Sequence, residues 1–260
     1  MMHRSKRISR FIYHGEIPNP GGILKLSAVE SGHLRKVLRL DVGNLCRIAN
    51  AQGVEAEVTI EGFSPLGEAC LKVLKNCESK IAHLKTQIHV YQSFALKGKM
   101  DLLMEKAQEI GISSFTPVLS DHCALKPSRD VQKKLLERWQ KKIEQAVKQS
   151  GNLTAMALKK FSDFKETLET VDLTHKIIVF HPLPTAKPFR EWMWEYQEDA
   201  AMQAHLFFGP EGGFSKREME WVERTKAENK TIDIVSLGSN ILRLETAFLG
   251  VSTAMRLLLP

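Results

Sequence analysis

From residue 88 onward, short apolar runs alternate with longer amphipathic runs, and this alternation constrains the fold more than any other feature of the chain. The short runs are typical of buried strands, and the long ones are typical of helices. Strands that alternate with helices form a mostly parallel sheet covered on both faces, so this part of the sequence predicts an α/β domain. The predicted strands are 88–94, 114–119, 177–181, 205–209 and 232–237, and the predicted helices are 98–110, 129–149, 187–198, 216–228 and 243–258.

The first 76 residues have a different pattern, with short alternating runs separated by turns that contain glycine. Such runs predict a small, mainly β structure that resembles a barrel. The three clearest runs are Leu45–Ala49, Val54–Ile60 and Ala69–Leu74. Residues 77–87 have little periodic pattern, which predicts that the domain boundary lies there. We therefore expect a β-barrel domain over residues 1–76 and an α/β domain over residues 77–260.

One helix is predicted inside the N-terminal domain. Ser27 and Glu30 have the spacing of a capping box. An apolar stripe follows, formed by Leu34, Val37 and Leu38. Arg35 and Arg39 are four residues apart, so on a helix they project from the same side. A basic helix beside a small barrel suits RNA docking.

The formal net charge of +7 is unevenly distributed along the chain. The first 40 residues contain eight Lys or Arg and two acidic residues. A basic N-terminal portion favours a polyanionic partner such as nucleic acid, and a solvated surface is the alternative. The predicted helix at 129–149 also has a basic side, which we interpret as a solvated surface rather than an RNA contact. Its basic residues are Lys133, Lys134, Arg138, Lys141 and Lys142.

The composition, 43% hydrophobic and 26% charged, is that of an ordinary globular protein. No apolar run reaches the roughly 18 residues of a transmembrane helix, so no membrane association is expected. The basic start is not followed by an apolar segment, which argues against a secretory signal and favours the cytoplasm. The four cysteines lack C-x-x-C spacing, which argues against zinc or redox chemistry, and no metal site is expected.

Two segments near the C-terminus have the same local pattern of a buried strand, a tight glycine turn and the start of a helix. The first turn is Gly209-Pro210-Glu211-Gly212-Gly213, and the second is Leu237-Gly238-Ser239-Asn240-Ile241-Leu242. In an open α/β sheet such turns lie at the carboxyl ends of the strands, where ligands bind. The two turns therefore predict one composite pocket.

The residues of the first turn argue against a nucleotide phosphate as the ligand. The pattern is neither G-x-G-x-x-G nor G-x-x-x-x-G-K-[ST], and Glu211 places a carboxylate in the turn. A nucleoside or a cationic ligand fits better. In the second turn, apolar side chains with exposed backbone groups suit a flat heterocycle such as adenine.

The sequence G-P-E-G-G-F-S-x-x-E, followed by L-G-x-x-I-L-R-x-E-T-A, resembles the signature of the RsmE family, SPOUT-superfamily methyltransferases that act on small-subunit ribosomal RNA. Upstream, Lys99-Met100-Asp101 and Glu109-Ile110-Gly111 resemble one helix of that family, and Arg138-Trp139-Gln140-Lys141 resembles another. His33–Leu40 with Gly43 resembles its N-terminal H-x-x-x-V-L-R segment. The likeness covers the chain in order.

The resemblance implies a SPOUT-type parallel sheet with a C-terminal trefoil knot, preceded by a PUA-like barrel that engages RNA. It implies S-adenosylmethionine as the cofactor and a homodimer as the active unit. The implied reaction is methylation of uridine N3 in 16S rRNA within the assembled small subunit, which gives 3-methyluridine. A methyltransferase acting on another RNA and a non-catalytic RNA-binding assembly factor are the alternatives.

The resemblance and the turn chemistry together select the candidate site residues. For catalysis they are Arg243, which would stabilise the uridine, and Glu211 and Glu245, which would shape the pocket. For the cofactor they are Leu183, Gly209, Glu211, Gly212, Gly213, Leu237, Gly238, Ile241, Leu242 and Thr246. For RNA they are Arg10, His33, Arg35, Arg39 and Lys99. Three positions that are commonly basic in the family hold Asn240, Asn152 and His122 here.

Overall fold

The computed structural model describes residues 9–50, 54–77, 86–96, 98–150, 155–196, 202–229 and 231–259. The chain divides into two compact units, one around a smaller sheet and one around a larger sheet. The predicted boundary at 77–87 falls mostly on residues 78–85, outside the described ranges, and the two-domain assignment therefore stays a prediction.

The N-terminal unit contains a five-stranded sheet in the order β1-β3-β4-β5-β2. Its strands are β1 (Arg10–Ile12), β2 (Ile23–Lys25), β3 (Leu45–Ala49), β4 (Glu55–Phe63) and β5 (Ala69–Cys77). All pairs are antiparallel except β1 with β3. The three longer strands confirm the alternating runs in the sequence. Strands β1 and β2 were not predicted, because three residues are too few to establish a period of two.

The N-terminal helix differs from its prediction. Helix α1 (Ala28–Gly32) begins as expected, with Ser27 Oγ accepting the N–H of Glu30 at 3.3 Å. The chain then continues as a π-helical turn over His33–Val37, in which the N–H of Leu38 donates to the carbonyl of His33. This wider turn moves side chains off the α-helical stripe.

Two predictions for this segment are therefore wrong. Leu34 is buried, but Val37 is 65% exposed and Leu38 is 38% exposed, so they form no buried stripe. Arg39 lies beyond the end of the helix with a positive φ of 53°. It therefore does not share a helical face with Arg35.

Within the described residues, the C-terminal unit is an α/β structure around an eight-stranded sheet whose strand pairs are all parallel, which confirms the predicted α/β fold with a parallel sheet. Seven strands follow the order β11-β13-β10-β12-β6-β7-β8, and β9 also pairs with β7. The strands are β6 (Gln87–Ser93), β7 (Ser114–Leu119), β8 (Ala157–Leu158), β9 (Ser162–Asp163), β10 (Lys176–Phe180), β11 (Lys187–Pro188), β12 (Gln203–Phe208) and β13 (Ile232–Ser236).

In the part of the chain that the structure describes, six helices accompany this sheet: α2 (Lys99–Ile110), α3 (Arg129–Ser150), α4 (Phe164–Thr170), α5 (Phe189–Tyr196), α6 (Lys216–Glu228) and α7 (Leu244–Leu258). Five of them confirm predicted helices. Helix α4 was missed, because seven residues are too short for a clear helical period. Helix α5 begins two residues later than predicted, since Lys187 and Pro188 pair with β13.

Both faces of the central strands are buried. Ile178 and Phe208 belong to a core cluster that also contains Trp139 and Phe248. Val179 and Phe207, their neighbours on the other faces of β10 and β12, belong to a second core cluster. This explains why the strands are continuous apolar runs in the sequence. Among the described residues, no helix is long and apolar enough to cross a membrane.

Three histidines lie close together beside β6 and β12. The ring of His205 stacks between those of His89, at 4.8 Å, and His175, at 5.3 Å. Its two nitrogens lie 3.0 Å from the hydroxyl of Tyr91 and 3.1 Å from Nδ1 of His175. Burial, with the neighbouring histidines, lowers the pKa of His205 to about 4. The folded protein therefore favours a neutral His205.

This burial predicts a loss of stability in acid. Because the pKa of His205 is lower in the folded chain than its ordinary value of 6.5, its stabilising contribution is complete above about pH 6.5 and decreases as the pH falls towards 4. His205→Phe removes the titrating group. Between pH 7 and pH 4, the unfolding free energy of the wild type should therefore fall by roughly 3 kcal/mol more than that of the variant. Urea titrations across this range measure it, and parallel curves would contradict the prediction.

Candidate functional site

Both predicted glycine turns lie at the same edge of the large sheet. They follow β12 and β13, and β10 lies between these two strands. Because all three strands are parallel, the loops after them emerge side by side at the carboxyl edge. The topology therefore brings together segments that are about 25 residues apart in the sequence.

A cavity of about 620 Å³ lies between these loops. This volume is in the range of small-molecule and cofactor sites. The cavity is lined by Lys99, Phe180, His181, Pro182, Phe208, Gly209, Pro210, Glu211, Gly212, Gly213, Val235, Leu237, Gly238, Ser239, Asn240, Ile241, Leu242, Arg243, Leu244 and Ala247.

The first turn requires glycine at two positions for different reasons. Gly213 has a φ of +69°, which strains any residue with a side chain. A Cβ on Gly209 would lie 3.3 Å from the Cα of Gly213, because the turn folds back on itself. Helix α6 begins directly after the turn, with Ser215 and Glu218 forming the predicted capping box.

Glu218 attaches this turn to the loop after β7. Its side chain is almost completely buried. Oε2 accepts the N–H of Ser215 at 2.7 Å, and Oε1 accepts the N–H of Asp121 at 2.8 Å. Asp121 in turn accepts hydrogen bonds from Arg217 and from Ser215 Oγ, both at 2.6 Å, and these bonds lower the pKa of its carboxyl. Two loops are thus held as one body.

His122 supports the same turn from the loop after β7. Its Nδ1 lies 3.2 Å from the carbonyl oxygen of Gly212 and 3.1 Å from that of Gly213. Because carbonyl oxygens only accept hydrogen bonds, this geometry requires the proton on Nδ1. The histidine at this commonly basic position therefore binds the backbone of the turn.

The second turn exposes its backbone to the cavity. Gly238 has a φ of +106°, and its N–H donates to Ser236 Oγ at 3.3 Å. Within the described part of the chain, the N–H groups of residues 239–242 have no hydrogen-bond acceptor. Ile241 is 99% exposed. These unused donors and apolar side chains can receive a polar, flat ligand.

Lys99 links the two turns electrostatically. Its Nζ lies 3.0 Å from Oε1 of Glu211 in the first turn and 3.7 Å from Oε2 of Glu245, just after the second. The hydrogen bond to Glu211 raises the pKa of Lys99, which therefore stays charged. Arg243 also lines the cavity, and no carboxylate of the described residues pairs with it. It is a cation available to a substrate.

His181 is a further titratable group in the cavity wall. Burial lowers the pKa of its imidazole, so the ring is neutral near pH 7. Its Nδ1 is buried and has no hydrogen-bond partner among the described residues.

Most of the predicted pocket residues lie together. The cavity is lined by Gly209, Glu211, Gly212, Gly213, Leu237, Gly238, Ile241, Leu242 and Arg243. Glu245 is connected to it through Lys99. Leu183 and Thr246 do not line it: Leu183 packs against the core cluster that contains Phe207, and Thr246 is exposed.

The wall formed by Phe180 and Phe208 was not predicted, and Lys99, which was predicted to contact RNA, also lines the cavity. A signal for Lys99 was present, since it follows another strand of the same parallel sheet and must lie at the same edge. Asn240 lines the cavity, and Asn152 lies outside the described residues.

The other predicted RNA-binding residues lie in the N-terminal unit. The guanidinium of Arg10 binds Glu55 at 3.0 Å, so its charge is partly engaged within the fold. Arg35 is exposed and lies 4.8 Å above the ring of Phe63. His33 and Arg39 are also exposed. Across the residues that the structure describes, no group of three His, Cys, Asp or Glu side chains could hold a metal ion.

Comparison with protein families gives one match that covers most of the chain. A family model for the RNA methyltransferase domain matches residues 82–256. Curated proteins named ribosomal RNA small subunit methyltransferase E are also similar. The Bacillus subtilis protein is 23% identical over 88% of this chain and 88% of its own length. The Rickettsia conorii protein is 25% identical over 87% of this chain and 86% of its own.

Two solved structures have the same fold over nearly the full length. Ribosomal RNA small subunit methyltransferase E from Neisseria gonorrhoeae, bound to S-adenosyl methionine, superposes with a TM-score of 0.82 at 22% identity. It covers 97% of this chain and 98% of that one. A Legionella pneumophila protein with bound SAM gives a TM-score of 0.81 at 24% identity, covering 96% and 98%.

The position of Glu218 predicts a large effect on stability. Glu218→Ala leaves the N–H groups of Ser215 and Asp121 without their acceptor, which should lower the free energy of unfolding by about 2–4 kcal/mol. Glu220→Ala, on the exposed side of the same helix, is the matched control and should change it by less than about 0.5 kcal/mol. Chemical denaturation measures both, and equal effects would contradict the role assigned to Glu218.

Proposed function

Because this chain belongs to the family of RNA methyltransferase domains, we propose that it methylates N3 of a uridine in 16S ribosomal RNA of the small subunit, with S-adenosylmethionine as the methyl donor. The observation that carries the proposal is the convergence of two glycine turns on one cavity. The names of the relatives support the RNA substrate, and the family signature supports uridine N3. The proposed location is the cytoplasm, where the small subunit is assembled.

The cavity fits S-adenosylmethionine in size and chemistry. Its volume of about 620 Å³ accommodates a nucleoside joined to an amino acid. Phe180, Phe208 and Leu237 provide apolar walls for adenine, and the unused N–H groups of residues 239–242 provide hydrogen-bond donors. The glycines of the first turn allow close approach of the backbone. The proposed cofactor residues are Gly209, Glu211, Gly212, Gly213, Leu237, Gly238, Ile241 and Leu242.

The proposal includes three features of the family architecture. The first is a C-terminal trefoil knot around the two turns. The second is a PUA-like function for the five-stranded unit, in which Arg10, His33, Arg35 and Arg39 contact RNA. The third is a homodimer that acts on the assembled small subunit. Leu257 and Leu258, which are 76% and 62% exposed at the end of α7, support an apolar contact between subunits.

The chemistry of the reaction assigns distinct tasks to the protein. Bound S-adenosylmethionine supplies a methyl group on a sulfonium, which is already a good leaving group. The two turns then have to align the methyl group with N3. The N3 proton must leave before or during attack, and negative charge develops on the uridine oxygens. Arg243 is placed to stabilise that charge, because no carboxylate of the described residues neutralises it.

Glu211 and Glu245 shape the electrostatics of the pocket rather than reacting. Lys99 forms ion pairs with both carboxylates, so their charges are partly balanced. The same ion pairs link the first turn to the head of α7. Lys99 is therefore proposed as a pocket residue instead of an RNA contact.

The substrate assignment is tested by mass spectrometry of 16S rRNA from cells with and without the gene. Loss of 3-methyluridine from one position, restored by the purified enzyme acting on small subunits in vitro, is the expected result. Retention of the modification in cells that lack the gene would refute the assignment.

Arg243 provides a test of the mechanism. Arg243→Ala should lower kcat by about 100-fold or more, because the developing charge loses its partner. The affinity for S-adenosylmethionine, measured by calorimetry, should change little. Arg224→Ala, an exposed residue of α6, is the control and should retain activity. An unchanged kcat in Arg243→Ala would remove this residue from the mechanism.

A further inference from the structure

We propose that the exposed basic face of α3, formed by Lys133, Lys134, Arg138 and Lys141, binds backbone phosphates of the RNA substrate next to the cavity. The inference rests on the proposed function, because it assigns a second RNA-contacting surface to the same enzyme. The sequence alone favours a solvated surface for this side of the helix, and the contacts of α3 with α2 favour an RNA contact instead.

The charge of α3 differs from that of every other labelled helix. Its 22 residues contain seven Lys or Arg and three Asp or Glu, a net charge of +4. The labelled helices α1, α2 and α4–α7 each have a net charge between −1 and 0. Helix α6 shows what a solvated helix of this chain looks like, with four basic and four acidic residues. Among the labelled α-helices of the described residues, only α3 has an excess of positive charge.

The basic side chains of this face are available to a ligand. Lys133, Lys134 and Lys141 are exposed, and no carboxylate of the described residues forms an ion pair with them. Lys134, Arg138 and Lys141 are spaced i, i+4 and i+7, so they project from one side of the helix. The rise of an α-helix places the first and last of them about 10 Å apart. Arg138 also pairs with Asp101, and the two lysines beside it have no ion-pair partner among the described residues. Such a line of cations suits a polyanionic backbone.

The position of α3 relates this face to the candidate site. Asp101 Oδ1 accepts hydrogen bonds from Arg138 Nη2 and Trp139 Nε1, both at 2.8 Å. Trp139 is fully buried, so this attachment is fixed. Asp101 lies in the first turn of α2, two residues after Lys99, whose side chain lines the cavity. Arg138 of the basic face is therefore attached to the same helical turn that carries the cavity-lining Lys99.

The test compares two variants that each remove two positive charges from one helix of the full-length protein. Lys134→Gln with Lys141→Gln removes charges from the basic face. Arg224→Gln with Lys226→Gln removes two exposed charges from α6, for which no ion pair is observed in the described residues. The affinity for the RNA of small ribosomal subunits is measured by filter binding of the subunits at several salt concentrations, together with S-adenosylmethionine binding and kcat at saturating subunits.

The α3 double variant should bind RNA about tenfold more weakly near 0.15 M salt. Its plot of log affinity against log salt concentration should be shallower by about 1.4–1.8, as expected for two lost phosphate contacts. Cofactor binding and kcat should be retained, and the α6 variant should behave as the wild type. An unchanged affinity and slope in the α3 variant, or equal losses in both variants, would overturn the inference.

The outcomes separate this inference from the proposed function. If the wild type methylates the RNA and the α3 variant binds it normally, the function stands and the surface is wrong. If the wild type transfers no methyl group but the α3 variant alone loses RNA affinity, the surface stands and the enzymatic assignment is wrong.

Discussion

The candidate site depends on one buried carboxylate. Glu218 lies in the first turn of α6 and accepts two backbone N–H groups, one from its own helix cap and one from the loop after β7. Burying a carboxylate costs free energy unless its oxygens accept hydrogen bonds. The two loops that donate these hydrogen bonds therefore have few other positions available. The glycine turn must leave β12 at a fixed angle, and the loop that contains Asp121 and His122 must lie against it. The backbone that faces the cavity is thereby determined by groups outside the cavity.

Once this turn is fixed, the topology of the sheet completes the pocket. Strand β10 lies between β12 and β13, so the two glycine turns are neighbours in space. Lys99, from the start of α2, then joins them through Glu211 and Glu245. The result is a cavity with apolar walls, in which the N–H groups of residues 239–242 and the guanidinium of Arg243 have no partner among the described residues. A methyl donor with its own leaving group requires alignment more than chemical assistance from the protein, and this rigid construction provides it.

Much of this was predictable because the C-terminal unit follows simple rules. Strands buried on both faces are continuous apolar runs, and a capping box marks the start of α6 with Ser215 and Glu218. Positive φ angles at Gly213 and Gly238 explain why glycine occupies both turns.

The features that could not be predicted depend on contacts between distant segments. The ion pairs of Lys99 and the hydrogen bonds of His122 span about 90 to 150 residues of sequence, and no local pattern contains them. The predicted positions of Val37 and Arg39 were wrong because the segment His33–Val37 is a π-helical turn, and the residues themselves do not signal this change of helical period.

The proposed reaction requires the two turns to hold one methyl donor jointly. A crystal structure of the protein soaked with S-adenosylmethionine tests it most directly. We expect electron density for the adenosyl group between Gly209–Gly213 and Leu237–Leu242, with the sulfonium methyl group directed towards Arg243. Density at any other place on the chain, or turns too far apart to contact a single molecule, would contradict it.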